Sequence, residues 1–564
     1  MAKGKQNVQI PRKYNIFVSG STLCAPVANG LKIFISVRNV IINTGVKTDS
    51  VRTTEGENVL RFYKREISQW VGNQAIRRKR RKNPAAFLTL RQLCEKAGLS
   101  VEDFDEAVQC KSEKTVSQVS RYGDRFTKNC VCVQLYGDSD SLMQMAMADG
   151  ALVCVTDHPI AGIPCIVVEN PAAVYADMCA VYRNMVEMKT TAVAGSIGKT
   201  TTKKMIEAVY RQALHTLCDA GNDNILDSVG SICQHIPKNT QQYVAEFSED
   251  TPGIIAEMSK IVQPDILVFT AIDKSHIELY GSEEEIVREF FTATRYMRKD
   301  GVCIASMDEV NIAHLLHDRP MLFVSQHNRE ADYFAEDIQV DETGLRFRVV
   351  EKKTGMAYAV QMQYVFAEHN VTCALLAFAA GAVAGVPPEK IVCGLQAYRA
   401  AGIRQNIYKA GKTTVYADCY NAVAKSVRSA VQAAERIPVS GKRIAVLGDV
   451  AEAGDYTEST HLEMVDIINQ SNFAVLMTFG QHLKQAIAKS KLREDLQVLT
   501  FENQSDMNRA LKKTARPGDL VLFKASHSGH LKKSIRAVFP FAYLRESIRY
   551  YVPRAAWHFR VLIN

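Results

Sequence analysis

The chain has 564 residues, of which 47% are hydrophobic and 23% charged, with a formal net charge of +9. This is the make-up of a soluble globular protein, and the length calls for about three to four domains rather than one core. Its 14 cysteines form no CxxC pair and no evenly spaced frame, which points away from a disulfide scaffold and towards reduced thiols in a cytoplasm.

In chain order, residues 1–13 are basic and polar with no apolar stretch behind them, so no signal peptide is expected. Residues 1–83 form an N-terminal extension without a chemical motif; 15–18 and 31–42 are strand-like. Residues 77–82 are six consecutive cations. They suit either a nucleic-acid or anionic-lipid contact, or a solvated linker. The break at Asn83-Pro84 favours the linker, and no nucleic-acid partner is expected.

Residues 84–188 alternate helix-like (88–97, 141–148) and strand-like (130–135, 151–156, 164–169) stretches, an α/β pattern. Residues 189–398 continue it, with strands at 266–270 and 302–305 and helices at 283–298 and 372–384. The least polar segment, 371–388, is shorter than the roughly 20 residues a bilayer requires, so it is read as a buried helix and no transmembrane span is expected. Residues 399–564 repeat the style, with strands at 414–417, 443–447, 474–479 and 520–523. Parallel sheets with ligands at strand C-termini are the expected architecture.

The most informative segment is 191–203, TAVAGSIGKTTTK. An apolar strand (Ala192, Val193, Ala194) leads into Gly195, Ser196, Ile197, Gly198, Lys199, Thr200 and Thr201, and a helix with Met205, Ile206 and Val209 leads out. Glycines let backbone N–H groups curl round phosphate, the helix N-terminus adds its dipole, lysine neutralises charge and a hydroxyl reaches Mg²⁺. Nucleoside triphosphate binding follows. The common phosphate loop has glycine where Val193 stands, so the spacing here is shortened.

Later segments place polar groups after apolar runs. Glu246 and His276 suit Mg²⁺ beside a triphosphate, with Thr200 as a third ligand. Singly, Glu246 also fits a helix cap or surface acid, and His276 a hydrogen-bonded loop histidine. Asp418 and Asn421 suit a nucleotide approached from another domain; Asp418 equally suits a cap for the helix near Lys425.

The ordered set GSIGKTTTK, GNDN (221–224), Glu246, SHIELYGS (275–282), EHN (368–370), ADCYNA (417–422), VLGDVAEAG (446–454) and His461 resembles the Mur ligase family over about 88–538. The branch it is most similar to joins D-alanyl-D-alanine to UDP-N-acetylmuramoyl-tripeptide. The resemblance implies an α/β, three-domain architecture after the extension: a UDP-sugar domain (84–188), a central phosphate-loop ATPase (189–398) and a dinucleotide-binding-like C-terminal domain (399–564). It implies ATP-dependent amide ligation through an acyl phosphate, with Mg²⁺, a UDP-MurNAc-peptide-like substrate and a D-Ala-D-Ala-like amine. A cytoplasmic monomer is expected.

By motif position, Lys199 would touch the β/γ-phosphates and Thr200 and Glu246 the metal, while His276 would support a second metal. Asn370, Arg404 and Asp418 would contact nucleotide; Asn222 and Asn224 of GNDN, and Lys524 and Ser526 of FKASHSG, would meet substrate. The uridine-pocket DSR reads Val119-Ser120-Arg121 here, without its aspartate. Phe290 falls where the family carries a metal-binding lysine, so either Glu289 or Glu285 substitutes or the second metal is absent. The family's second asparagine after His369-Asn370 is also lost, at Cys373-Ala374.

Overall fold

A computed structural model describes residues 88–547, apart from 122–127, 136, 220–223, 273–276, 310–318, 342, 401, 421, 423, 451–455 and 527–528, together with the backbone of four strands within 17–43. The chain divides into two units, Met1–Lys82 with Tyr551–Asn564, and Asn83–Tyr550. In the first, β1 (Phe17–Ser19), β2 (Thr22–Val27), β3 (Leu31–Ser36) and β4 (Val40–Asn43) form an antiparallel meander. The stretch expected as one run at 31–42 is thus two strands. The basic run 77–82 lies outside the described residues.

The second unit contains three sheets. The first is parallel: β5 (Val119–Ser120), β6 (Val131–Val133), β7 (Val153–Thr156) and β8 (Cys165–Val167). It is flanked by α1 (Leu90–Lys96), α2 (Asp140–Ala148) and α3 (Pro171–Arg183). A capping box of Thr89 and Gln92 starts α1, while Asn170 and an N-terminal proline start α3. Both are strong local signals.

The second sheet has nine strands. β9 (Lys189–Ala194), β10 (Thr216–Cys218), β11 (Gln242–Glu246), β12 (Ile266–Phe269), β13 (Val302–Ser306) and β14 (Met321–Ser325) are followed by β15 (Tyr333–Asp341), β16 (Gly344–Glu351) and β17 (Ala357–Met362). Their spatial order is β10-β11-β9-β12-β13-β14-β15-β16-β17, parallel through β15 and antiparallel beyond it. β9 lies between β11 and β12, so the strand order reverses there and a crevice opens at its C-terminal end. The antiparallel arm β15–β17 alternates buried and exposed positions along much of its length, as a half-solvated ribbon does.

The helices of this part are α4 (Lys199–Tyr210), α5 (Leu226–Cys233), α6 (Ile254–Val262), α7 (Glu283–Phe291), α8 (Asn370–Val383) and α9 (Pro388–Ala397). The apolar segment expected as a buried helix is α8, buried over Asn370 and most of the residues to Gly381. Both α8 and α9 pack on α4. A Cβ at Gly394 of α9 would sit 2.5 Å from the Val209 Cα, so this close approach requires glycine. The helix expected over 283–298 ends at Phe291, because Thr292 and Thr294 turn their hydroxyls back onto the Glu289 and Phe291 carbonyls and the chain tightens into a 3₁₀ turn.

The third sheet has the order β18-β19-β23-β20-β21-β22 and is parallel except for β18. Its strands are β18 (Asn406–Ala410), β19 (Thr413–Asp418), β20 (Arg443–Gly448), β21 (Val475–Phe479), β22 (Gln497–Phe501) and β23 (Leu520–Lys524). Helices α10 (Ala424–Arg436), α11 (Thr457–Asn469), α12 (Gln481–Lys489), α13 (Gln504–Thr514) and α14 (Leu531–Val538) accompany it. Every residue of β19 and β23 is buried, as in the middle of a two-sided sheet. Among the described residues no helix is long and apolar enough to cross a membrane.

Candidate nucleotide and metal site

The loop after β9 has the backbone of a phosphate cradle. Gly195 has φ +133°, and a Cβ there would lie 2.3 Å from Thr270 Oγ1 and 2.9 Å from the Thr270 carbonyl oxygen. Ser196 N and Ile197 N donate to the Ala271 carbonyl at 2.8 and 3.0 Å, fixing the loop to the end of β12. Gly198, at φ +88°, is the left-handed N-cap of α4. Lys199, Thr200 and Thr201 therefore open the helix, where free N–H groups and the dipole favour an anion. Thr201 also hydrogen-bonds Tyr398.

Charge is organised around this turn by two lysines one helical turn apart. Lys199 Nζ lies 2.8 Å from Glu249 Oε2, donates to the Gly195 carbonyl, and reaches the Ser196 carbonyl at 3.4 Å. Its ammonium is 6.0 Å from the centroid of the Phe290 ring. Lys203 Nζ lies 2.8 Å from Glu246 Oε2, with both side chains buried. Thr200 Oγ1 donates to Glu246 at 2.9 and 3.1 Å, and Asn224 Nδ2 donates to Glu246 Oε1 at 3.1 Å. Glu246 thus ends β11 at the loop and is neither a helix cap nor a surface acid.

Burial opposes the charge on Glu246, but Lys203 outweighs it and holds the carboxyl below its ordinary value. Burial likewise opposes the charge on Lys203, which Glu246 and Asp219 keep above the usual lysine range. Asp219 is pushed up to about 6 by burial; it accepts from Tyr243 OH at 2.8 Å and from Glu246 N at 2.9 Å. A hydroxyl and a carboxylate beside a phosphate cradle form a hard-oxygen donor set. It suits Mg²⁺, which takes one or two protein oxygens and completes its shell with phosphate and water.

Phe290 is fully buried. Glu289, one candidate to replace the lost metal-binding lysine, instead accepts from Gly253 N at 2.9 Å and Ile255 N at 3.1 Å, capping α6. Glu285 is engaged by Arg288 on its own helix. Among the described residues these contacts hold Glu289 at the start of α6 and Glu285 beside Arg288, rather than at the phosphate loop. His276, Asn222 and Asn421 lie outside the described residues.

A second group of expected residues gathers where α8 meets β18 and β19. Asn370 Nδ2 donates to Gln405 Oε1 at 3.0 Å, while the buried Asn370 Oδ1 has no hydrogen-bond partner among the described residues. Gln405, at φ +48°, donates its backbone N–H to Asp418 Oδ1 at 3.1 Å and its side-chain amide to His369 Nε2 at 3.0 Å. Asp418 Oδ2 is 2.9 Å from Lys524 Nζ. Asp418 therefore ties the inter-sheet linker to β23. The Arg404 guanidinium stacks 3.3 Å over the Tyr420 ring. A narrow crevice with room for about one water lies beside Asn370 and is lined by Phe366, Tyr398, Gln405 and Tyr416 among others.

Ser526 Oγ donates to the Asp449 carbonyl at 3.0 Å, joining the end of β23 to the loop after β20. His461 is buried; its Nε2 accepts from Val450 N at 3.0 Å. Ser120 ends β5, and Arg121 forms a bidentate pair with Asp138 at 2.7 and 2.8 Å. Val119 is buried and its backbone is bracketed by the Gln234 amide at 2.7 and 2.8 Å, so no carboxylate stands there. An acid beside Arg121 is supplied from a different part of the chain.

Sequence reasoning missed Lys203, Glu249, Gln405 and Asp138. A second lysine four residues after Lys199 was a signal for Lys203, since that spacing returns to the same helix face. Glu249, three residues after Glu246, carried none: only tertiary packing brings it to Lys199.

Comparison with known proteins accords with this geometry. Residues 193–381 match the Mur ligase middle domain, and residues 404–527 the Mur ligase, glutamate ligase domain. The chain is similar to UDP-N-acetylmuramoyl-tripeptide–D-alanyl-D-alanine ligase of Bacillus subtilis, with 29% identity over 71% of this chain and 87% of that protein. The Escherichia coli protein of that name is 24% identical over 75% of this chain and 94% of its own length. Among solved structures, MurF from Acinetobacter baumannii superposes with a TM-score of 0.70 at 24% identity, covering 80% of this chain and 99% of that one. MurF from Thermotoga maritima in complex with ADP gives 0.65 at 18% identity, over 76% and 98%. With both family domains matched in order and the phosphate loop, β11 acid and linker contacts in place, the chain belongs to the Mur ligase family.

Proposed function

We propose that this protein is an ATP-dependent amide ligase of peptidoglycan precursor synthesis, joining D-Ala-D-Ala to UDP-MurNAc-tripeptide in the cytoplasm. The observation that carries the reading is the convergence of Lys199, Thr200 and Glu246 on one phosphate cradle, in a chain similar over most of its length to ligases of that name. The three sheets of residues 83–550 are taken as the UDP-sugar, ATPase and C-terminal domains, with divisions near 188 and 398.

A carboxylate is a poor electrophile until one of its oxygens belongs to a leaving group. In the reading favoured here, the terminal carboxylate of the peptide attacks the γ-phosphorus of ATP and ADP departs. The amine then attacks the acyl carbon, and phosphate leaves with one carboxylate oxygen as the amide forms. The loop N–H groups and the α4 N-terminus hold the phosphates, and Lys199 neutralises charge as two anions meet. Thr200 and Glu246 would hold Mg²⁺, which supplies further neutralisation of the phosphates. Asn370, at the start of α8, and Arg404 and Asp418, beside the third sheet, would contact the nucleotide.

The experiment is phosphate release by the full chain. It should require ATP, UDP-MurNAc-tripeptide and D-Ala-D-Ala together, and fall about 100-fold or more in Lys199→Ala. The replacement of the uridine-pocket aspartate by buried Val119 favours a second reading, a ligase of the same chemistry acting on another carboxylate–amine pair. Release with such a pair, and none with the cell-wall substrates, would select it.

A further inference from the structure

Strand β5 is an edge of the first sheet, with β6 as its only ladder neighbour among the described residues. Towards β6, the Gln118 carbonyl accepts from Val131 N at 2.9 Å. The polar backbone groups of Val119 go to Gln234 instead. Val119 N donates to Gln234 Oε1 at 2.7 Å, and Gln234 Nε2 donates to the Val119 carbonyl at 2.8 Å. A side-chain amide carries an acceptor and a donor side by side, as one residue of a neighbouring strand would. We propose that Gln234 is a positioning residue for the nucleotide-sugar: it fixes the backbone of β5 and thereby the place at which Ser120 and Arg121 meet the uridine nucleotide. This rests on the reading of residues 119–121 as part of that substrate's pocket.

The amide is itself held in place. Gln234 is 4% exposed and caps the C-terminus of α5, where its Nε2 also reaches the Gly230 carbonyl at 3.2 Å and the Cys179 sulfur at 3.5 Å. Helices α3 and α5 meet closely here: a Cβ at Gly230 would lie 2.5 Å from the Tyr175 hydroxyl, which donates to the Asp227 carbonyl at 3.0 Å. The strand, in contrast, has only two residues. Val119 is buried and offers no side-chain acceptor, so β5 meets substrate through Ser120 and Arg121 at its C-terminal end, where parallel sheets bind ligands. Without the amide, a buried N–H and a buried carbonyl lose their partners, and the strand must shift to find others. A misplacement of about 1 Å in a positioning group can cost about 100-fold. At its other end α5 follows Asn224, which donates to Glu246, so a general loosening of the helix would disturb the ATP site as well.

Steady-state phosphate release by the full chain, with each substrate varied in turn, tests this. Gln234→Met keeps the length of the side chain and removes the amide. It should raise KM for UDP-MurNAc-tripeptide at least about tenfold and leave kcat and the KM for ATP and for D-Ala-D-Ala within about twofold. Gln234→Glu keeps the shape and the acceptor for the Val119 N–H, so it should raise the same KM by a smaller factor. An unchanged KM for the nucleotide-sugar in Gln234→Met, or in Gln234→Glu if the methionine variant does not fold, would overturn the proposal. So would a parallel rise in every KM, which a loosened α5 would give. Wild-type release that ignores UDP-MurNAc-tripeptide and answers to another carboxylate would instead overturn the substrate reading on which the proposal stands.

Discussion

Lys203 and Glu246 form an ion pair in which both side chains are almost fully buried. Neither has solvent to fall back on, so removing one leaves the other buried without its main partner. Lys203→Met should cost about 3 kcal/mol in urea unfolding at neutral pH. The pH dependence has a definite sign. The folded-state pKa of Glu246 lies below its ordinary value, so its contribution to stability is present above the ordinary carboxylate range and is lost as pH falls through the lowered pKa. Without Lys203 the burial penalty wins, and that loss should move to higher pH in a series of urea midpoints between about pH 3 and 7. The acid at 246 was legible from its place after an apolar run. Its salt-bridge partner was not weighed, because a lysine in a helix is ordinarily solvated.

Among the elements, the turn between β9 and α4 is the most constrained. Gly195 and Gly198 both have positive φ, but only Gly195 faces backbone and hydroxyl atoms closer than 3 Å to a virtual Cβ; Gly198 meets the Cys373 sulfur at 3.4 Å. Gly195→Ala should therefore disrupt the loop and abolish nucleotide binding in calorimetry. Gly198→Ala should cost about 1–2 kcal/mol of stability and leave weakened binding. Helix α7 gives a second expectation. If Glu289 only caps α6, Glu289→Ala should lower stability by about 1–2 kcal/mol in urea unfolding and leave the Mg²⁺ dependence of phosphate release unchanged. The loop and the strands around it were readable because glycine, lysine and apolar runs are local signals. The α6 cap was not: it joins residues 34 and 36 positions apart, and nothing in GSEEEIVREFF distinguishes a capping acid from a metal ligand.

At the scale of the molecule, the second and third sheets meet through a short linker. Its Gln405 binds His369 and Asn370 on one side and Asp418 on the other, and Asp418 in turn holds Lys524. Sequence order supplied Asn370, Asp418 and Lys524 as separate nucleotide or substrate contacts. The fold makes them one connected chain, so the groups expected to bind ligand also couple the sheets. The alternation of apolar strands and helices in 189–398 and 399–564 was legible because buried parallel strands are short continuous apolar runs. The antiparallel arm β15–β17 was not recognised, since much of it alternates polar and apolar residues at a surface.

In the proposed reaction this molecule makes an amide by first turning a carboxylate into an acyl phosphate, a mixed anhydride. UDP-MurNAc-tripeptide carrying ¹⁸O in both oxygens of its terminal carboxylate tests it directly, with ATP, Mg²⁺ and D-Ala-D-Ala and with the released phosphate analysed by mass spectrometry. The account requires one ¹⁸O in each phosphate and the other retained in the new amide. Turnover that yields unlabelled phosphate would contradict it.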